Sequence, residues 1–156
     1  MAALALSCGY RPLRSGLAGA PKIRVVSAET QVAGAAQVPV AEELATGARA
    51  ELARFGALGD EAEDRLRLEI VRLDEQSEGV AVVDGRPRAR GVRLRLVARG
   101  AIAGPRGEWE TPDVETTELV AAVTDPLAWD AARGAAARTV ARRAGALVAR
   151  EVLGIP

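Results

Sequence analysis

Hydrophobic residues alternate with polar ones in several stretches of the chain, which is the pattern of half-buried β-strands. The clearest stretch is DRLRLEIVRLD, residues 64–74, where Leu66, Leu68 and Ile70 share one face and charged residues occupy the other. A shorter stretch of the same kind, KIRVVSAET at residues 22–30, comes earlier in the chain. Both predict strands with one face on a core and one face in water.

The segment EGVAVVDGRPRARGVRLRLVARGAIAG, residues 78–104, predicts a hairpin. VAVVD would pair through a DGRP turn with a long second strand. Gly91 falls inside this strand and predicts a bulge. A last strand is predicted in EWETPDVETTELV, residues 108–120, with an interruption at Pro112. The inward positions of the long strand are Val92, Leu94 and Leu96.

Two other segments carry apolar residues at the three- and four-residue spacing of a helix face. The first begins at Pro39, which suits an initial helical turn, and stops at Gly56. The second begins at TDPLAW, where Asp125 is a good N-cap and Pro126 a good first helical residue, and closes at Gly154. The apolar positions are Val40, Leu44, Ala48, Leu52 and Phe55 in the first helix, and Val140, Ala144, Leu147, Val148 and Val152 in the second.

The order strand, helix, meandering strands and long helix predicts an α+β fold. We expect a two-layer sandwich, in which a mostly antiparallel four-stranded sheet carries two helices packed on one face. Residues 11–22, RPLRSGLAGAPK, contain Pro, Gly and Ser without periodicity and read as a linker. The chain of 156 residues therefore divides into a tether at 1–22 and a single domain at 23–156.

Composition narrows the possible functions. The chain has no His and only one Cys, which excludes Ser-His-Asp and Cys-His catalysis, His-ligated metals and an internal disulfide. Its 21 basic and 21 acidic residues leave no net charge, which argues against a nucleic-acid partner. No glycine-rich phosphate loop follows a strand. We therefore expect no enzyme activity, no metal and no cofactor.

The single cysteine, Cys8, lies in LALSCGY, which resembles the lipidation motif of bacterial lipoproteins. Ser7 is an allowed small residue before the cysteine, and Ala5 and Leu6 are apolar. Only MAALALS precedes Cys8, whereas a secretory signal has a basic region and an apolar region of about 7–15 residues. By itself the motif leaves open an ordinary thiol.

The residues that follow favour lipidation. CGY, a short Gly/Pro linker and the order strand, helix, meander, helix resemble the lipopolysaccharide-assembly lipoprotein family LptE, also called RlpB. In that family the lipidated cysteine is commonly followed by Gly and an aromatic residue, as in Cys8-Gly9-Tyr10 here. The resemblance implies a small sheet with two helices on one face.

The resemblance also implies a location and a partner. Members of the family are lipid-anchored at the periplasmic face of the outer membrane of Gram-negative bacteria. They plug and help to assemble the β-barrel LptD, which delivers lipopolysaccharide to the cell surface. Cys8 would be the lipid attachment site, and its several acyl chains would give the stable anchoring that one chain does not. The short segment before Cys8 then predicts a truncated signal, with the true start upstream of Met1.

A row of arginines is a second candidate site. In GVRLRLVARG, Arg93, Arg95 and Arg99 share one strand face. Guanidinium groups suit phosphate oxygens, so the row could contact the phosphates of lipopolysaccharide or acidic groups lining the barrel. The alternative is a solvated sheet face, paired across strands with residues such as Glu69.

Some alternatives stay open at this point. Trp129 is predicted to lie in the core, whereas Trp109 fits strand packing and a partner interface equally well. The protein could also be a small periplasmic lipoprotein with another partner. It could instead be a cytosolic α+β interaction domain in which Cys8 is incidental.

Overall fold

Five strands and two helices occur in the residues that the computed structural model describes, which are 21–30, 40–83 and 86–155. The predicted helix start at Pro39 lies outside these residues. The strands are β1 (Ile23–Thr30), β2 (Asp64–Val83), β3 (Arg86–Gly104), β4 (Gly107–Glu110) and β5 (Val114–Ala121); the helices are α1 (Val40–Arg54) and α2 (Pro126–Leu153).

The sheet is mostly antiparallel. β2 and β3 form a long antiparallel hairpin, β4 and β5 both pair with the far side of β3, and only β1 runs parallel to its neighbour β2. A parallel pair needs a crossover connection, and α1 lies between β1 and β2 in the chain. Both helices pack on the same face of the sheet and against each other. The predicted α+β fold is confirmed.

The strands differ in number and length from those expected. Residues 64–74 and the following VAVV, residues 80–83, belong to one continuous strand, β2. The last predicted strand is divided near Pro112 into β4 and β5. Proline has no N–H to donate to a ladder, which is consistent with the break. The described residues therefore form five strands, whereas a four-stranded sheet was expected.

The bulge predicted at Gly91 is wrong. The register of the hairpin shifts between Ile70 and Arg72, whereas Gly91 pairs regularly with both neighbouring strands. Gly91 serves another purpose, because a Cβ there would lie 2.6 Å from the backbone oxygen of Val120. A glycine is needed at this position because β3 and β5 approach each other closely.

The core lies between the sheet and the helices. Leu66, Leu68 and Ile70 are at most 1% exposed, as the alternation in β2 predicts. Leu94 and Leu96 of β3 are buried beside them. The buried helix residues follow the predicted apolar faces: Val40, Leu44, Ala48 and Leu52 in α1, and Val140, Ala144, Val148 and Val152 in α2.

Local end signals set the helix boundaries. The side chain of Asp125 accepts a hydrogen bond from the backbone N–H of Leu127 at 3.1 Å, and Pro126 is the first helical residue of α2. Gly154 ends α2 in the left-handed conformation with φ of 66°, and Gly56 follows α1 with φ of 67°. These N-cap and helix-stop predictions are confirmed, because the chain needs residues that fit the backbone geometry at each end.

Candidate functional site

The chain joins the domain at the start of β1. The predicted lipid site, Cys8, lies outside the described residues. Lys22 donates a side-chain hydrogen bond to the backbone oxygen of Gly56 at 2.7 Å. The next residue, Ile23, donates its N–H to the oxygen of Ala57 at 2.7 Å. The point where the predicted tether meets the domain is therefore held against the turn after α1.

The β2–β3 hairpin reaches from this end of the sheet to the other. β1 pairs with β2 only as far as Ile70, and β5 pairs with β3 only as far as Gly91. Beyond these points, and among the described residues, the hairpin continues as a two-stranded ribbon to Val83 and Arg86. The 20 residues of β2 correspond to roughly 60 Å of extended chain. The ribbon and the chain junction therefore lie at opposite ends of the domain.

The predicted arginine row lies on the face of the sheet away from the helices. Arg93, Arg95 and Arg99 occupy alternate positions of β3, and the intervening Leu94 and Leu96 point into the core. The arginine side chains are half-exposed, at 50%, 45% and 40%. β3 thus places all three guanidinium groups on one solvent-facing surface, which we call the open face.

Each arginine of the row is paired with a carboxylate from a neighbouring strand. A weaker contact at 3.9 Å joins Arg99 to Glu110 as well. These pairs are the ones expected from the alternative interpretation, in which the row is a solvated sheet face paired across strands with residues such as Glu69. A phosphate group could reach these guanidinium groups only in competition with carboxylates already in place. The pairs are Arg93–Glu78 at 2.9 Å, Arg95–Glu115 at 2.6 Å and Arg99–Glu69 at 2.8 Å.

The pairing also affects protonation. The hydrogen bond and the charge of Glu115 raise the pKa of Arg95. The hydrogen bond and the charge of Glu69 do the same to the pKa of Arg99. An arginine is already charged at any ordinary pH, so both groups stay cationic wherever the fold survives.

A shallow depression of about 250 Å³ on the open face adjoins Arg99. Three carboxylates and two guanidinium groups line it, a balance that disfavours a phosphate at this spot. No cluster of three or more His, Cys, Asp or Glu side chains suited to a metal ion occurs in the described part of the chain. The charged lining residues are Glu29, Arg67, Glu69, Arg99 and Glu110.

The outer face of α2 carries a second, larger groove of about 520 Å³. Arg142 pairs with Glu43 of α1 at 2.6 Å. Arg143 lies 3.3 Å from the carboxylate of Glu118 and donates a hydrogen bond to the backbone oxygen of Thr117 at 3.3 Å. This basic helix face is exposed. The groove is lined by Ala135, Arg138, Thr139, Arg142, Arg143 and Ala146.

The two tryptophans both pack against the hydrophobic core. Trp129, predicted to lie in the core, is partly buried and packs against the core without being enclosed by it. Trp109 pairs with Ile102 across β4 and β3 and is half-buried, which favours strand packing over a partner interface.

Two buried carboxylates escape notice in the sequence. Glu51 of α1 is 8% exposed and accepts a hydrogen bond from Arg150 of α2 at 2.6 Å. Asp64 is 7% exposed and pairs with Arg106. Glu51 does stand beside Leu52 on the apolar side of its helix, which is a weak signal. The arginine partners are distant in sequence, so only the folded chain identifies them.

No helix within the described ranges is long and apolar enough to cross a bilayer.

Comparisons with known proteins identify the fold. No family model matches the chain. No curated protein matches its sequence. Rare lipoprotein B from Shewanella oneidensis matches it in structure with a TM-score of 0.53 and 10% identity, over 85% of this chain and 94% of that one. The domain therefore has an LptE/RlpB-like fold.

Other lipoproteins share the LptE/RlpB-like fold. A candidate lipoprotein from Caulobacter crescentus is 16% identical, with a TM-score of 0.59 over 85% of this chain and 88% of that one. A minor lipoprotein from Acinetobacter baumannii is also 16% identical, with a TM-score of 0.51 over 85% of this chain and 92% of that one. At these identities the likeness concerns the fold, which agrees with the fold that the sequence resemblance implies.

Proposed function

We propose that the protein is a non-catalytic, lipid-anchored subunit of the outer membrane that occupies and helps to assemble an LptD-type β-barrel for lipopolysaccharide delivery. The observation that carries the proposal is the fold shared with rare lipoprotein B over 94% of that chain. Cys8-Gly9-Tyr10 adds a lipidation motif of the kind expected ahead of such a domain.

The layout of the domain supports a tethered arrangement. Residues 9–22 can extend over about 50 Å at most, so Cys8 keeps the domain near the membrane surface. The junction at Ile23 would lie nearest the lipid, and the two-stranded ribbon at the opposite end of the domain would point away from it. In this orientation the ribbon and the open face are free to contact a partner.

The open face supports contact with a polar partner surface. Its arginines are half-exposed and are paired with carboxylates at short distances, so they can exchange partners with charged groups on another protein. Acidic groups lining a barrel would have to replace Glu78, Glu115 or Glu69. Phosphates of lipopolysaccharide would face the same competition.

A metabolic labelling experiment tests the anchor. The full gene, including the DNA upstream of Met1, is expressed with a palmitate analogue, and labelling of the protein is compared with that of Cys8→Ala. The proposal expects a labelled parent in the membrane fraction and an unlabelled variant. A parent without label would contradict the lipid anchor and favour the cytosolic interaction domain.

A purification from detergent-solubilised membranes tests the partner. The tagged parent is expected to bring down an LptD-type barrel in stoichiometric amount. A labelled protein that purifies without the barrel would contradict the barrel partnership and indicate a lipoprotein with another partner. That coarser function is supported by the fold shared with the Caulobacter and Acinetobacter proteins.

A further inference from the structure

The outer edge of β5 has no strand partner in the part of the chain that the structure describes. β5 pairs with β3 along one edge only. The backbone oxygen of Val120 faces Gly91 of β3, so the backbone groups of even-numbered residues point into the sheet. Those of odd-numbered residues point outward, and the oxygen of Thr117 accordingly receives a hydrogen bond from Arg143 of α2. β5 thus presents a row of outward backbone donors and acceptors.

The opposite edge of the sheet is protected more fully than β5, where the hydrogen bond from Arg143 to the oxygen of Thr117 is the only comparable cover among the described residues. β1 has a register shift between Val25 and Ser27, and the oxygen of Val25 accepts a hydrogen bond from Arg49. Ile23, at the start of β1, is bound on that side by the turn after α1. Bulges and covered edges are the usual means by which proteins prevent unwanted strand pairing. β5 keeps a regular register over eight residues, about 26 Å, without Pro, Gly or Lys.

The side chains along this edge differ between its two faces. On the open face, Leu119 is 62% exposed, the highest value for a large apolar residue of the sheet among the described residues. On the helix side, Arg143 is 53% exposed and sits beside the edge, and Arg138 and Arg142 continue the basic surface. An added strand would therefore meet an apolar side chain on the open face. On the helix side it would meet arginines, of which Arg143 is paired with Glu118 of β5.

The charge of α2 distinguishes between two possible occupants of the β5 edge, a second copy of this chain and another protein. A second copy paired through β5 would bring an identical arginine-bearing helix face alongside the first, and like charges there would repel. A strand with acidic side chains on the same face would find Arg138, Arg142 and Arg143 instead. Its carboxylates would compete with Glu43 for Arg142 and with Glu118 for Arg143, which leaves three arginines against two resident carboxylates. Charge complementarity favours the second occupant.

We infer that the outer edge of β5 takes up an extended segment of a partner protein as an added strand, with acidic side chains toward α2 and apolar side chains over Leu119. Main-chain hydrogen bonds would supply affinity, and the alternating side chains would supply specificity. The inference uses the folded domain alone, so it does not depend on the lipid anchor or the barrel of the proposed function.

Peptide binding to the full chain tests the inference. The probe is a short fluorescein-labelled peptide of alternating glutamate and valine, measured by fluorescence anisotropy. One control peptide has lysine in place of glutamate, and another carries methyl groups on alternate backbone nitrogens. We expect saturable binding of the glutamate peptide, about tenfold or greater weakening with lysine, and no binding of the methylated peptide.

Variants locate the binding edge. Leu119→Pro removes an outward N–H and is expected to weaken binding about tenfold or more. Leu119→Asp leaves the backbone intact and replaces the exposed apolar contact with a charge that repels the acidic peptide. This variant tests the same edge if the proline variant does not fold. The matched control is Val26→Asp, because Val26 is an exposed apolar residue, at 39%, on the opposite edge strand. It is expected to bind like the parent.

Four results would overturn the inference. The first is failure of the glutamate peptide to saturate, and the second is equal binding of the methylated peptide. The third is equal weakening by Val26→Asp and Leu119→Asp. The fourth is a dimer of the full chain in analytical ultracentrifugation that Leu119→Asp dissociates, since this would assign the edge to a second copy.

Discussion

Gly47 of α1 and Gly145 of α2 lie at one helix crossing, where each glycine faces a backbone carbonyl of the opposite helix. A Cβ on Gly47 would lie 1.9 Å from the oxygen of Arg142, and a Cβ on Gly145 would lie 1.9 Å from that of Leu44. Any side chain at either position would have to separate the helices. Two small residues thus determine how closely the helical layer packs.

Gly145→Ala is expected to lower the free energy of unfolding by about 1–3 kcal/mol, because the added methyl overpacks the crossing. Gly134→Ala is the matched control in the same helix, since its Cβ would meet only the end of the Arg138 side chain, at 3.7 Å. The control is expected to stabilise by up to about 1 kcal/mol through helix propensity. Urea unfolding measures both changes, and equal effects of the same sign would contradict the proposed role of the crossing.

The buried carboxylate of Glu51 provides a second prediction. Its main partner, Arg150, lies at 2.6 Å and is 37% exposed, so Arg150→Ala leaves a carboxylate in the helix interface without that partner. We expect a loss of about 1–3 kcal/mol in the free energy of unfolding. Arg54 contacts the same carboxylate at 3.4 Å but is 64% exposed, and Arg54→Ala should cost at most about 1 kcal/mol. Thermal and urea unfolding measure the stability of both variants. Equal stability of Arg150→Ala and Arg54→Ala would contradict the prediction.

The N-cap of α2 provides a third prediction. Asp125→Ala removes the acceptor for the backbone N–H of Leu127 and is expected to cost about 0.5–2 kcal/mol of stability. The control, Asp130→Ala, removes an acidic residue one turn later. Its side chain is 73% exposed and forms a long ion pair with Arg133 at 3.6 Å, so the change in stability should stay within about 1 kcal/mol. Circular dichroism during urea unfolding compares the two. A larger loss for Asp130→Ala would rule out the cap as the main contribution.

The arginine row provides a prediction about binding. A variant with Arg93, Arg95 and Arg99 all changed to Ala should remain folded, because exposed ion pairs contribute little to stability. If the row contacts lipopolysaccharide, this variant should bind purified lipopolysaccharide more weakly than the parent and with a smaller dependence on salt. The charge-matched control changes Arg65, Arg67 and Arg72, which are exposed residues of β2. Binding of the β3 variant equal to that of the parent would exclude the phosphate contact.

The pH dependence of that binding follows from the raised pKa of Arg95 and Arg99. A cation with a raised pKa in the folded state keeps its stabilising pairs below its unfolded pKa and loses them only as the pH rises through the folded pKa. The contribution of these arginines should therefore not change between neutral and mildly alkaline pH. A titration of binding against pH that falls in this range would point to another group.

Much of the fold is predictable because its signals are local. The alternation of Leu66, Leu68 and Ile70 depends only on the two-residue period of a strand, and each is buried as predicted. The cap at Asp125 and the stop at Gly154 depend on the backbone geometry of a few residues at each helix end. The order of these elements predicts a sheet with two helices on one face, because each amphipathic element must bury its apolar side.

By itself the sequence determined the two helices, the stretches that form strands, their buried faces and the α+β class, and it singled out Cys8 and the arginine row. Only the tertiary structure decided that β1 lies parallel to β2, that Glu78, Glu115 and Glu69 pair with the row, and that the outer edge of β5 has no strand partner in the described residues. These features depend on the alignment of one strand against another. The two-residue period of a strand determines which face each residue takes, whereas the neighbouring strand and the partner residue depend on contacts between residues far apart in the chain.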